Sequence, residues 1–245
     1  MNNRNMPHYT NGYHRPCTFL TDEVLHEGNW LRFSEIKYLD PTGKERLWEA
    51  VTRQTRTRGS DTDQVASIAI YRRLLHYDVM VLVRQYRPAL NAYTVEFPAG
   101  LLESGETSKE AAVRELREET GWHGEVTHMS SQLAVDPGCS SAIIRYATVK
   151  INGDAPENLN PRPVPSDGEF VDILMIPISE IHDHLNKLTK EGNIVDSRVE
   201  AFAIGLQMGL KVAKDAAKDA ISTLQASLPL DGSSVRTGSF SFGKK

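Results

Sequence analysis

The chain has 245 residues, 40% hydrophobic and 24% charged, with a net charge of −4. That length suits one enlarged domain, or one domain with a small accessory part, and can bury a sizeable core. The acidic balance argues against a nucleic-acid binder driven by a global basic field. Cys17 and Cys139 are the only cysteines, which excludes a disulfide scaffold and a cysteine zinc cluster. No apolar run approaches the roughly 18 residues of a membrane span, and the first thirty residues lack the apolar core of a secretory signal. A reducing, intracellular setting is the expectation.

Residues 1–20, rich in Asn, Pro, His and Tyr and without a period, read as a flexible arm. Two alternating segments, LRFSEIKYLD and RLWEAVTRQT, flank the turn signal Asp40-Pro41-Thr42-Gly43-Lys44 and predict a hairpin. Val65–Tyr71 and Val79–Tyr86 are β-branched runs that read as buried strands, and Tyr93–Phe97 is another. A helix is expected over 107–120. Strand character returns at Ser131–Val135, Ala142–Ile151 and Phe170–Ile176. Ser179–Lys190 predicts a short helix capped by Ser179. Residues 197–227 carry long helical periodicity, with Ala203, Leu206, Leu210, Ala213 and Ala217 on one face. The Gly/Ser-rich end is expected to be disordered. Strands and helices intermix without repeating βαβ units, so the fold class is α+β with a mixed sheet.

The stretch from Gly100 to Trp122 carries the most chemistry. Thr107 and Glu110 make a capping box at a helix start, and Gly121 sits where a left-handed residue ends the helix. At about 100° per residue, Glu115, Glu118 and Glu119 share one arc, while Ala112, Val113, Leu116 and Thr120 share another. Glu115 and Glu119 repel at i,i+4, and acids at a helix C-terminus oppose the dipole. A hard divalent cation with oxygen ligands would reverse that cost. A solvated charged face paired to Arg114 and Arg117 is the competing reading of the helix taken alone.

The whole string resembles the Nudix box, G-x5-E-x7-R-E-U-x-E-E-x-G-U, at Gly100, Glu106, Arg114, Glu115, Glu118, Glu119 and Gly121. Leu116 fills the first bulky apolar place. Trp122 fills the last, where an aliphatic residue is more usual. The resemblance to Nudix hydrolases implies an α/β/α sandwich with a mixed sheet. It implies that Glu115, Glu118 and Glu119, with the Ala99 carbonyl, hold Mg²⁺. It also implies that Glu106 and Arg114 hold the loop-helix geometry.

Flanking segments are similar to the ADP-ribose pyrophosphatase, or ADP-sugar diphosphatase, branch. They are Glu96-Phe97-Pro98-Ala99-Gly100, Asp40-Pro41-Thr42-Gly43, Trp48-Glu49, Gln85-Tyr86-Arg87-Pro88, Asp136-Pro137-Gly138 and Asp167-Gly168-Glu169-Phe170. This similarity implies that Trp30 and Trp48 sandwich adenine and that Glu49 accepts from its amino group. It implies that Arg53 and Arg87 bind phosphate or base edges, and that Leu101 and Asp136 are further contacts. Seven arginines against three aspartates between Arg53 and Arg87 give that segment a local charge of +4, which suits a diphosphate. Glu169, beside a Pro-rich loop, would swing over the metals to orient or deprotonate water. Cys139, without a histidine partner, reads as a small buried filler.

The expected organisation is an arm (1–20), a small N-terminal β-domain for dimerisation and adenine binding (21–60), and a Nudix domain (61–208). A helical extension (209–228) and a disordered tail (229–245) follow. The expected activity is Mg²⁺-dependent hydrolysis of ADP-ribose and related ADP-sugars to AMP and a sugar 5-phosphate, with two or three ions per site and Mn²⁺ as a substitute. A homodimer with shared sites is expected, with no nucleic-acid or membrane partner, in the cytoplasm, with the nucleus as an additional site. Three rivals share the fold. They are an 8-oxo-dGDP hydrolase, a non-catalytic ADP-ribose module, and an isopentenyl-diphosphate isomerase, which needs a catalytic cysteine.

Overall fold

In the computed structural model of the protein, the described residues are 15–227 without 57, 58, 61, 165 and 167. The first fourteen residues of the expected arm, and the expected tail from 229, lie outside them.

The chain starts with β1 (Thr18–Glu27), β2 (Leu31–Leu39) and β3 (Glu45–Arg53), an antiparallel sheet in the order β1-β2-β3. The β2–β3 hairpin was legible. The first strand was not, and it begins inside the stretch read as an arm. The hairpin turn is organised by Asp40, which accepts from Thr42 N (2.9 Å), Lys44 N (3.1 Å) and Arg46 Nε (2.8 Å). These bonds, led by that from the Thr42 hydroxyl, hold its carboxyl well below the usual carboxylate range. Gly43 supplies the left-handed turn residue at φ 84°.

Next come β4 (Gln64–Arg72), β5 (Val79–Arg87), β6 (Ala92–Glu96), β7 (Ala99–Leu101) and α1 (Ser108–Thr120). They are followed by β8 (Glu125–Met129), β9 (Leu133–Ala134), β10 (Ile143–Asn152) and β11 (Val171–Pro177). The chain ends with α2 (Ile181–Lys190), β12 (Ile194–Val195) and α3 (Ser197–Ser227). The nine strands form one mixed sheet with the backbone order β12-β6-β5-β4-β10-β8. Strands β11, β7 and β9 pair with β5, β4 and β10 respectively. β4 and β10 run parallel, Gln64 opposite Ile144. β8 was not anticipated, and the strand read over 131–135 shrinks to two residues.

Alternation along β4 and β5 fills both faces of this sheet. Val65, Ala69 and Val81 pack with Ala111, Ala112 and Leu116 of α1 on one side. Ala66, Met80 and Leu82 pack with Ile181 and Leu185 of α2 and Val199 and Ala203 of α3 on the other. The result is the expected α/β/α sandwich. Two helical expectations need correction. α2 starts at Ile181 after a 3-10 turn, with Glu180 as its cap residue and no side-chain cap bond, so Ser179 does not cap it. On α3 only Ala203 of the expected apolar face is buried and Leu206 is half-buried. Leu210, Ala213 and Ala217 are exposed, because nothing in the described chain faces the outer helix. No helix among the described residues is long and apolar enough to cross a membrane.

Candidate active site

α1 forms where the local signals placed it. Glu110 N donates to Thr107 Oγ1 (3.3 Å) and Thr107 N donates back to Glu110 Oε2 (2.9 Å). Gly121 ends the helix at φ 77°. Its tertiary role is as strong, since a Cβ there would stand 2.4 Å from Arg162 N. Val164 N also donates to Glu118 O (2.8 Å). The segment that leads to Glu169 is thereby fastened to the end of the acidic helix.

Gly100 has an equally specific cause. A Cβ on it would lie 1.9 Å from the Glu115 carboxylate, so that carboxylate occupies the space a side chain would need. Glu119 is buried, and its Oε2 accepts from Ala99 N (3.1 Å). Burial, then the neighbouring Glu115, push the Glu119 carboxyl up to about 8, against the pull of the Ala99 amide. Burial also raises Glu115, with Arg114 opposing. The charge of Glu169 contributes to raising both groups, so its exposed carboxylate stands within electrostatic reach of the helix face.

Arg114 is saturated with protein acceptors. Its Nε meets Glu106 Oε1 (2.9 Å), and its Nη2 meets Glu106 Oε2 and Leu101 O (both 3.0 Å). Its Nη1 meets Glu115 (2.8 Å) and Glu118 (3.1 Å). Among the described residues no three acidic, His or Cys side chains are drawn together as a metal cage, and Arg114 bridges two of the glutamates instead. The donor set is still that of a hard cation: carboxylate oxygens in excess of the one guanidinium that serves them, two of them desolvated.

A cleft of about 500 Å³ opens beside Ala99. Arg53 from the end of β3, Arg87, Glu96, Asp196 and Arg198 line it with the Ala99 backbone. Arg87 forks onto Glu96 with two 2.7 Å bonds. A larger groove, about 1020 Å³, follows the outer face of α1 past Glu110, Val113 and Arg117. It borders Glu118 but reaches neither Ala99 nor Glu119, and the guanidiniums converge in the smaller cleft. Glu96, Asp196, Arg198 and Tyr146 line that cleft without having been singled out as site residues. An Asp-x-Arg at a helix start is too common a pattern to stand out in one sequence.

The tryptophans are placed differently from an adenine sandwich within one chain. Gln54 N donates to Trp30 O (3.0 Å), and Trp48 faces Ile36 in the β2–β3 register. Six residues of strand, about 20 Å, therefore separate them. Trp30 stands at the Arg53 end of the small sheet. Trp48 Nε1 donates to Gly138 O (3.2 Å), and β3 is bound to the same loop through Val51 N to Cys139 O (2.8 Å). Glu49 alternates with Trp48 onto the other face of β3. Leu101 gives its carbonyl to Arg114, and Asp136 closes its own loop by accepting from Gly138 N (3.3 Å) and Cys139 Sγ (3.0 Å). Cys139 is exposed rather than a buried filler, because it sits on a loop tip.

The comparisons with known proteins agree with this geometry. A family described as NUDIX domain matches residues 62–196. The chain is 42% identical to the mouse ADP-sugar pyrophosphatase over 76% of its length and 86% of that protein's. It is 34% identical to the ADP-ribose pyrophosphatase of Saccharomyces cerevisiae over 73% and 78%. A crystal structure of an ADP compounds hydrolase shares the fold at TM-score 0.54 and 19% identity, covering 81% of this chain and 96% of the other. With the glutamate helix, its Gly100 loop and the sandwich that carries them, this chain belongs to the Nudix hydrolase family.

Proposed function

We propose that the protein hydrolyses the diphosphate of ADP-ribose and related ADP-sugars to AMP and a sugar 5-phosphate. One observation carries this reading: a cleft with three guanidiniums opens directly beside the backbone of Ala99 and the buried carboxylates of α1. A diphosphate lying across Ala99 has cations for its oxygens on one side and a metal-binding helix on the other. The names of the mouse and yeast relatives support the ADP-sugar choice.

In this proposal the Ala99 carbonyl, Glu115, Glu118, Glu119 and Glu169 hold two or three Mg²⁺ ions, with Mn²⁺ able to substitute. Bound divalent cations neutralise diphosphate charge and make water a stronger nucleophile at neutral pH. The chain's own residues do the rest. Arg114, anchored by Glu106, sets the spacing of Glu115 and Glu118. Arg53 and Arg87 hold phosphate oxygens through charge-assisted bonds. Glu169 receives the proton of the attacking water. Leu101 and Asp136 complete the walls of the site.

The dimer reading is supported by the separation of Trp30 and Trp48. One base cannot lie between two rings about 20 Å apart on one hairpin, whereas Trp30 of one subunit and Trp48 of another can flank it together. Arg53 lines the cleft of its own chain, and in this proposal it serves that chain's site. The test is a ranking of kcat/KM with Mg²⁺ over ADP-ribose, ADP-glucose, NAD, diadenosine polyphosphates and 8-oxo-dGDP. ADP-sugars should lead. A preference for 8-oxo-dGDP, or no turnover of any member, overturns the proposal.

A further inference from the structure

Resting on the ADP-sugar reading, we infer that Arg198, held in place by Asp196, is a further substrate-binding residue that grips the nucleotide half of the substrate. The arginines around the site differ in what they do with their donors. Arg114 turns Nε, Nη1 and Nη2 all onto protein acceptors, so it has nothing left to give a ligand. Arg87 commits Nε and Nη2 to Glu96. Arg198 commits Nε to Asp196 Oδ1 (2.7 Å) and Nη2 to Asp196 Oδ2. Both therefore keep Nη1, with its two N–H groups, without a protein acceptor among the described residues. Arg53 has no ion partner among them at all. The three arginines that line the cleft are the ones with donors to spare, and the arginine of the glutamate helix is not.

Asp196 already suffices for a structural role. Its Oδ1 accepts from Arg198 N (2.7 Å) and its carbonyl accepts from Glu200 N (3.1 Å), which starts α3. The guanidinium adds a charge that remains 36% exposed on the cleft wall while its partner carboxylate is only 14% exposed. A half-exposed pair of this kind contributes little net stability. What it does achieve is a guanidinium fixed in direction, with one edge free. The hydroxyl of Tyr146, buried in the same wall near the Arg198 guanidinium, has no partner within hydrogen-bond distance. Polar groups in this wall are thus left incompletely satisfied by the protein.

The half of the substrate follows from position. Arg53 is sequence-adjacent to Gln54, whose amide is bonded to Trp30, so the cleft continues toward the proposed adenine site. The carboxylates of α1 lie at the other side of Ala99. A ligand entering from the small sheet meets Arg53, Arg87 and Arg198 with its nucleotide end. Counting lining charges, three arginines less Glu96 and Asp196 leave a net +1, which suits a nucleotide phosphate.

The experiment compares wild type with Arg198→Ala, Arg198→Lys and Asp196→Asn. AMP and ribose 5-phosphate affinities are measured by calorimetry without metal, KM and kcat with ADP-ribose, and Tm by thermal melting. Arg198→Ala should weaken AMP and raise KM by about ten- to a hundredfold, the size of one charge-assisted bond. Ribose 5-phosphate affinity and kcat should move by less than about threefold. Asp196→Asn should show the same pattern at reduced size. Arg198→Lys should recover part of the loss, since it keeps the charge without the fork. Unchanged AMP affinity and KM with a lowered Tm would show a purely structural pair and overturn the inference. A wild type that hydrolyses ADP-ribose while Arg198→Ala behaves normally in every assay also overturns it, and leaves the parent reading standing. A wild type that neither binds AMP nor turns over ADP-ribose removes both.

Discussion

The two sheets of this protein obey different rules. In the nine-stranded sheet β5 buries Met80, Val81, Leu82 and Val83 completely, because helices cover both faces. In the three-stranded sheet every residue of β1 is exposed, and Phe19 (63%), Trp30 (71%) and Leu47 (57%) stand in solvent. A sheet this small cannot form a core of its own, and its own chain touches it mainly along the edge of β3. The large sheet is complete within one chain and supports the chemistry. The small sheet carries apolar surface that a second subunit would cover, with Trp30 and Trp48 among it.

That contrast can be broken at several points. Leu116→Ala empties a fully buried position under α1 and should cost about 2–5 kcal/mol in a denaturant melt. Phe19→Asp should leave the same melt nearly unchanged and instead shift sedimentation toward monomer. A dimer that survives it excludes this face as the contact. Gly100→Ala should lower kcat about a hundredfold with Tm kept, because displacing Glu115 by about an ångström disorders the reacting geometry. Full activity in that variant would show that Glu115 does not need its position.

Trp48→Ala should weaken ADP-ribose by roughly 1–3 kcal/mol, and weaken a substrate without adenine less. Equal losses would make Trp48 structural only. Refolding it together with Glu118→Gln should restore activity if sites are shared, since one site of each heterodimer then carries neither lesion. Confirmed heterodimers without recovery would refute shared sites. The smallest effect belongs to α3. Ending the chain after Lys211 should change the unfolding free energy by no more than surface substitutions do, about 0.5 kcal/mol or less, because the outer helix packs on nothing described. A drop of several degrees would mean that a partner surface covers it.

How much of this was legible depends on the range of the interactions. The glutamate helix could be read from its residues alone. Its cap, its carboxylate face and its Gly121 terminus all depend on neighbours within four positions, and helix geometry is the same wherever the helix occurs. The buried strands β4, β5 and β10 were legible for a similar reason, since continuous β-branched runs need cover on both faces. The turn at Asp40 likewise draws its bonds from within six residues.

What only the tertiary structure decided lies across longer distances. No local signal pairs β4 with β10 in parallel, 80 positions apart at Gln64 and Ile144, and none shows that β1 joins the hairpin. The register that sets Trp30 and Trp48 six residues apart on one hairpin is likewise invisible in composition. Arg53, Arg87 and Arg198 come from three separate elements, and their convergence depends on the strand order. Cys139 was misread because burial is a property of the packed chain and not of the residue type. Gly100 stands on the boundary: its place was visible in the sequence, but the carboxylate that excludes a Cβ from it is fifteen residues away and arrives only when α1 packs against β7.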